Sequence, residues 1–432
     1  MQPSSSTAAA PDIVTASAAS PSPERPACRF CRAPLVESFA DLGMMPLANA
    51  YRRPADLRRM EPFYPLHAYV CSQCFLVQLE ALCTPEEIFE DYAYFSSFSE
   101  SWLRHAGRFA AQAIEQFDLD GQSQVVEIAS NDGYLLQYFQ QRGIPVLGIE
   151  PAANVAAVAS AKGIQTLTRF FGVETARTLA ANGQQADLLV ANNVLAHVPD
   201  INDFVAGLAI TLRPSGVLSV EFPHLLNLIQ QGQFDTIYHE HFSYLSFVAV
   251  ERIFAAHGLA LFDVEELPTH GGSLRIFARH RDSSGAISRR VGEMRARERG
   301  AGLDQIATYG AFAERIKTIK RGLLGFLVEA KFSGKRVVGY GAAAKGNTLL
   351  NYCGVRTDFL DYVVDISPHK QGLHLPGTQI PIHHPDRVGE TRPDYLLVLP
   401  WNLKDEIMEQ MSFIRDWGGR FVFPIPALRV MA

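Results

Sequence analysis

The stretch "DTIYHEHFSYLS", Asp235 to Ser246, places two histidines, a glutamate, an aspartate and two tyrosines within twelve residues of a largely apolar chain. Side chains of these types move protons. A neutral imidazole, with an ordinary pKa of about 6.5, suits a base working near neutral pH. On an extended backbone His239 and His241 would share one face, with Tyr238 and Glu240 on the other. A helix would spread them around its surface. The alternative is a set of rings packed beneath a loop.

Four of the six cysteines form two pairs, Cys28-x-x-Cys31 and Cys71-x-x-Cys74, while Cys83 and Cys353 stand alone. A two-residue gap lets adjacent thiolates hold one ion from a tight turn, and two such turns complete a tetrahedral zinc site. About 40 residues separate the pairs, more than the roughly 15–20 of common zinc ribbons. An empty thiol cluster or a redox pair is the other reading, but neither pair lies in a thioredoxin-like βαβ context. The zinc module of residues 28–85 is small and rich in turn formers, so metal is expected to hold it together.

These groups need a scaffold, and residues 86–285 supply alternating strands and helices after a helical lead-in from Pro85 to about Phe117. The runs "SQVVEIAS", "IPVLGIEP", "ADLLVANN" and "GVLSVEFP" predict a parallel sheet with crossover helices. In "VVEIASNDGYLL" a buried strand leads through a turn at Asp132 and Gly133 into a helix, the place where such folds hold a nucleotide-like ligand. The three glycines of a dinucleotide loop are missing. Glu150 ends the second strand, where an acid accepts hydrogen bonds from ribose hydroxyls. Glu127 on the first strand together with Glu150 resembles the class I S-adenosylmethionine methyltransferase arrangement, and Asn192, Asn193 and His197 would rim the same crevice. Loop acids that merely cap helices are the bland alternative.

Residues 286–333, with "RRVGEMRARERG", read as a solvated helical connector because acids and bases interleave. Residues 334–432 restart the strand–helix alternation. There Gly339 and Gly341 precede Ala344 in the third-glycine position, and Asp365 stands where a ribose-binding acid would, which suggests NAD. Lys345 at the helix start suits a compact phosphate better. The motif "THGGSLRIFARH" offers His270, Ser273 and Arg275 to a ligand, although an arginine in a strand is more often ion-paired.

A chain of 432 residues allows about three domains. Its net charge of −6 provides no basic field for nucleic acid, so a small-molecule partner is expected. Residues 1–27, rich in Ser, Ala, Pro and Thr, read as a disordered tail without signal-peptide character. No apolar run reaches the length of a membrane span, and a cytoplasmic location is expected.

Taken in order, the CxxC pairs flanking "LGMMPLANAY", then "EIASNDGYLL", "YHEHFSYLS", "THGGSLRIF" and "GYGAAAKGNTLLNY" resemble the sugar C-methyltransferases of deoxysugar biosynthesis, from Cys28 onward. The resemblance implies an α/β chain: an N-terminal zinc-binding module, a central class I methyltransferase Rossmann-like domain and a C-terminal second Rossmann-like domain. It further implies Zn2+ and S-adenosyl-L-methionine as cofactors, and a nucleotide-linked 4-keto sugar, expected to be dTDP-linked, as substrate. The base role falls by resemblance on His241, with Tyr238 and Glu240 orienting the pocket and His197 beside the sugar. Methylating carbon next to a ketone requires an enolate, whose oxygen Tyr238 or His197 could serve as donor. His270, Ser273, Arg275, Gly341 and Lys345 would then line the sugar-nucleotide side. Oxygen methylation, an NAD-dependent oxidoreductase and a non-catalytic zinc scaffold are the competing classes.

Overall fold

A computed structural model describes residues 26–82 and 96–432. Most of the expected tail, Cys83 and the start of the helical lead-in at Pro85 lie outside the described residues. Strands β1 (Glu37–Met45), β2 (Tyr64–Val70) and β3 (Val77–Leu79) form an antiparallel meander in the N-terminal module. Helix α1 (Glu100–Gln116) opens the central domain, capped by the Ser99 side chain on the Trp102 amide.

The central sheet contains β4 (Val125–Ile128), β5 (Val146–Ile149), β6 (Thr166–Leu167), β7 (Ala186–Asn192) and β8 (Leu212–Pro223), all parallel. β4 is buried along its whole length, as expected of a parallel strand covered on both faces. Helices α2 (Leu136–Gln140), α3 (Ala153–Ala161), α4 (Val173–Ala181) and α5 (Ile201–Thr211) form the crossovers. After α6 (Leu225–Gln231), strand β9 (Ser243–Tyr244) leaves this domain and pairs with β3 as the fourth strand of the N-terminal sheet. Following α7 (Phe247–Ala256), the hairpin of β10 (Leu259–Leu267) and β11 (Ser273–His280) closes the edge, β11 running antiparallel to β8. The order β10-β11-β8-β7-β4-β5-β6 makes β4 the switch point, where crossovers depart in both directions and leave a crevice.

The charged region is helical, as α8 (Arg289–Gly300) and α9 (Ile306–Phe332), but it is no solvated connector. Tyr309, Phe312, Ile316, Ile319, Leu323, Leu327 and Ala330 form one buried stripe at steps of three and four. Phe312 stacks on Phe39 of β1 with centroids 4.6 Å apart. On α8, fully buried Glu298 accepts from the amides of Phe247 and Val248 and pairs with His224 at 2.7 Å, fastening the helix to the start of α7. Interleaved charges therefore conceal an apolar stripe and an internal cap.

The C-terminal sheet holds β12 (Val337–Tyr340), β13 (Val363–Val364), β14 (Ile382–His383), β15 (Tyr395–Val398), β16 (Arg420–Phe423) and β17 (Arg429–Met431) in the order β14-β13-β12-β15-β16-β17. Its helices are α10 (Ala344–Cys353), α11 (Arg387–Thr391) and α12 (Lys404–Gln410). Here β12 is the switch point. The N-terminal sheet, α9 and this domain share one apolar core, so the zinc module is not a free-standing unit. No helix among the described residues is long and apolar enough to cross a membrane.

Candidate functional site

The two knuckles are built alike. Arg32 and Phe75, each one residue past its second cysteine, adopt left-handed φ values of 64° and 61°. Their amides donate to the carbonyls of Cys28 and Cys71, both at 2.9 Å. This brings the sulfurs of Cys28, Cys31, Cys71 and Cys74 within 4.8 Å of one another, with Cys28–Cys74 at 3.6 Å and Cys31–Cys71 at 3.4 Å. A tetrahedron with Zn–S bonds of about 2.3 Å has edges of roughly 3.8 Å, so the four thiols fit zinc. Hydrogen bonding from Cys74 and from Gln78, against burial, brings Cys28 down to about 4, the thiolate form that metal binds.

At the end of β4 the chain turns sharply: Ala129, Asn131 and Gly133 all have positive φ. Gly133 also meets the loop just past α3, since a Cβ there would lie 2.3 Å from Ile164 Cδ1; only glycine fits both demands. Glu150 accepts from the amides of Asn131 at 3.0 Å and Ala152 at 2.9 Å, fixing the loop. Asp132 accepts from the amide of Ser97 and lies 3.6 Å from the Lys162 ammonium. Burial lifts Glu127 well above the usual carboxylate range, opposed by the Tyr134 hydroxyl. Among the described residues, the Asn193 side-chain oxygen is buried without a hydrogen-bond partner, and the buried oxygens of Glu127 and Asn192 have only the Tyr134 hydroxyl beside them. Orphaned polar groups around a switch-point crevice fit a ligand that carries ammonium, carboxylate and ribose groups, as S-adenosylmethionine does.

The histidine segment departs from the extended geometry considered above. Residues 238–241 form a tight turn in which the His241 amide donates to the Tyr238 carbonyl at 2.9 Å. The turn stacks Tyr238 beside His241, with centroids 4.1 Å apart, and sends their neighbours elsewhere. His239 turns to the Pro65 carbonyl at 3.2 Å, while Glu240 accepts from Asn49 at 2.6 Å. His197 meets His241 edge-on at 4.7 Å and hydrogen-bonds the backbone of Glu240. His241 Nδ1 lies 2.8 Å from the Thr236 carbonyl, which can only accept, so the proton sits on Nδ1 and Nε2 is left with a lone pair. Burial and the neighbouring His197 hold His241 well below the usual imidazole range, and burial brings His197 to about 4. Both rings are neutral at pH 7.

Of the "THGGS" motif only His270 reaches the crevice, held at a left-handed φ of 53° with its ring 5.3 Å from Trp102. Ser273 donates to the Thr269 carbonyl at 3.0 Å. Arg275 is buried, paired with Glu221 at 2.7 Å, and lies over the Phe109 ring. Burial pushes Glu221 up, but His105 and Arg275 outweigh it and hold the carboxylate at about 2. Ser273 and Arg275 thus support the turn that carries His270.

In the C-terminal domain Gly341 packs on Pro400, where a Cβ would lie 2.4 Å from Cγ. Lys345 turns away from the glycine loop. Its ammonium donates to Asn402 at 2.7 Å and lies 5.0 Å from the Trp401 ring centroid, and its charge is felt at His241, His270 and Asp235. Asp365 accepts from the amides of Ala342 and Ser367 and neighbours Lys370, while the Tyr51 hydroxyl covers the Ala342 carbonyl. Trp102, Glu221, Trp401 and Asn402 carry no local motif, and sequence reasoning missed them; Asn49 and Tyr51 lie in the "LGMMPLANAY" stretch but were not singled out.

Three family models match in succession: a zinc binding domain over residues 28–89, a methyltransferase domain over residues 102–264, and a C-methyltransferase C-terminal domain over residues 268–426. The C-methyltransferase NovU of Streptomyces niveus is 35% identical over 405 residues, covering 94% of this chain and 96% of that protein. A ubiquinone biosynthesis O-methyltransferase of Bartonella tribocorum is 29% identical over 97 residues, which is 22% of this chain and 39% of that protein. Magnesium protoporphyrin IX methyltransferase from Synechocystis, solved with bound SAM, aligns at 16% identity and a TM-score of 0.32, over 45% of this chain and 88% of that one.

Proposed function

Because the chain belongs to the S-adenosylmethionine-dependent C-methyltransferases, we propose that it methylates the carbon next to the ketone of a nucleotide-linked 4-keto deoxysugar, with His241 as the base. The observation that carries this reading is the bond from His241 Nδ1 to the Thr236 carbonyl, which leaves Nε2 as an acceptor between Tyr238 and His197. A carbonyl acidifies the neighbouring C–H bond enough for an imidazole to take its proton, so a neutral histidine base suits a keto sugar. Lys345, beside the same rings, supplies positive charge for an anionic substrate.

In the reaction His241 Nε2 takes the proton, the C–H electrons become the enolate, and charge gathers on the ketone oxygen. Tyr238 flanks the base and is the donor for that oxygen, while neutral His197, whose one N–H goes to the Glu240 backbone, packs edge-on against the His241 ring. When bound, S-adenosylmethionine supplies an electrophilic methyl; Glu150, Asp132 and the Asn192–Asn193 turn would hold it. The enolate carbon forms the new bond as the S–C bond breaks, and His241 then passes its proton to water. The oxidoreductase reading is disfavoured by Tyr51 and Lys370, which both cover the Ala342 carbonyl of the C-terminal loop.

The test is deuterium exchange. With a dTDP-linked 4-keto deoxysugar in heavy water and S-adenosylhomocysteine in place of the donor, wild type should exchange the proton next to the ketone. His241→Asn should bind both ligands and lose about 10²–10⁴-fold in exchange and methylation, the contribution of a positioned base. Wild-type exchange in that variant would remove His241 from the role.

A further inference from the structure

Asp235 and Trp401 lie outside the reacting rings, yet they meet where the base loop touches the C-terminal domain. Asp235 is fully buried, and its Oδ2 accepts from Trp401 Nε1 at 2.7 Å across 166 residues of sequence. It stands in the single 3-10 turn Phe234–Thr236, whose last carbonyl is the acceptor for His241 Nδ1. Only one peptide unit separates the buried carboxylate from the carbonyl that sets the base's tautomer. A second tie follows, as Thr348 of α10 donates to the Ile237 carbonyl at 3.1 Å. On its other side Trp401 packs against the turn bearing His270, where a Cβ on Gly271 would lie 2.6 Å from the indole. One indole therefore fixes the base segment by its N–H and the opposite wall of the crevice by its ring.

We propose that Asp235 and Trp401 are positioning residues that hold the Thr236 carbonyl, and through it His241, in the proton-accepting orientation, so that the C-terminal domain completes the catalytic base. This rests on the assignment of His241 as the base. Without the tie the 3-10 turn is free to rotate its last carbonyl, and the imidazole loses the partner that fixes Nδ1–H. The Lys345 hydrogen bond to Asn402 and the loop held by Glu150 do not pass through this tie.

The experiment compares Trp401→Phe, Asp235→Ala and Asp235→Asn in the full chain, using the heavy-water exchange assay and steady-state methylation with the dTDP-linked 4-keto deoxysugar. Trp401→Phe removes the donor together with the outer indole atoms that meet Gly271, whereas Asp235→Ala leaves the indole in place and removes only the acceptor; Asp235→Asn keeps an acceptor for it. Expected are losses of about 10²-fold in kcat and in exchange for Trp401→Phe and Asp235→Ala, the scale of a small misplacement. KM for both ligands should stay near wild type, and Asp235→Asn should recover most of the rate. Unchanged kcat in folded Trp401→Phe overturns the proposal, as does a rise in KM with kcat intact. Equal damage from Asp235→Asn and Asp235→Ala also overturns it, since the carboxylate would then act through charge on Lys345. Failure of the base assignment shows separately, as wild-type exchange in His241→Asn.

Discussion

At the end of β4, Glu127, Asn192 and Asn193 keep buried polar atoms that the chain leaves largely unsatisfied, whereas at the equivalent end of β12 the Ala342 carbonyl of the loop has found two donors within the chain. Glu150 and Asp365 each bind two amides of their own loops, so the acids do not separate the crevices; in the second, Lys370 donates to the Ala342 carbonyl at 2.9 Å and Tyr51 reaches the same carbonyl from the N-terminal module. Both sheets have a switch point, a glycine turn and an acid one strand over. Topology makes a crevice in each. Whether the crevice binds a nucleotide-like ligand depends on which groups at its mouth are left wanting, because a buried orphan costs about 1–3 kcal/mol until a ligand satisfies it.

The largest expected effect comes from the metal, since the zinc module supplies Tyr51 to one crevice and Asn49 to the base loop. Cys71→Ser should lose zinc and much of the folded N-terminal sheet, because structural zinc contributes on the order of 10 kcal/mol to small domains. Elemental analysis beside thermal melting checks this. A metal-free chain melting like wild type would make the cysteine cluster incidental.

Next in size is the cofactor crevice itself. Glu150→Ala should weaken S-adenosylmethionine binding by about 1.5–3 kcal/mol, the scale of hydrogen bonds to a charged group. Burial raises this carboxylate's pKa while the amides of Ala152 and Asn131 oppose it, so loop distortion adds to the loss. Calorimetric titration that finds wild-type affinity would move the ribose elsewhere and blur the contrast between the two domains.

A smaller effect links the two crevices through Lys345. His241 works as the neutral ring, so the rate falls as pH drops through its pKa, and burial, His197 and Lys345 all press that pKa down. Wild type should therefore hold its kcat well below pH 6.5. Lys345→Met removes one cation and should move the acid limb upward, toward neutral pH, at saturating substrate. An unmoved limb would place the lysine outside the field of the base.

Much of this was legible because it is local. The cysteine knuckles, the Gly133 turn and Glu150 at a strand tip depend on contacts within a few residues, and short spacing encodes them. The "YHEH" geometry was not, since four residues carry too little periodicity to distinguish strand, helix and turn. A type of contact rather than a motif separates them: Asn49 reaches Glu240, and Trp401 reaches Asp235, across distances that only the fold closes. The apolar stripe of α9 was hidden by the Arg- and Glu-rich sequence before it. Arg275 read as a ligand contact, but the acid it pairs with lies on the adjacent strand β8.

The smallest expected effect bears most directly on why the second crevice is closed. Tyr51→Phe keeps the ring under the Lys370 ammonium, 5.5 Å from its centroid, and removes only the hydroxyl bond to the Ala342 carbonyl. That carbonyl retains Lys370 as a donor, so the cost should be that of one ordinary hydrogen bond, about 0.5–1.5 kcal/mol in a denaturant melt. The variant should still fail to bind NADH in a fluorescence titration. Lys370 would remain bonded to the Ala342 carbonyl and Gly341 would remain packed on Pro400, so the loop would stay covered. If removing one hydroxyl instead produced saturable NADH binding, the C-terminal crevice would be a working dinucleotide site held shut by Tyr51. The contrast between the two domains would then lie in a plug rather than in the loop.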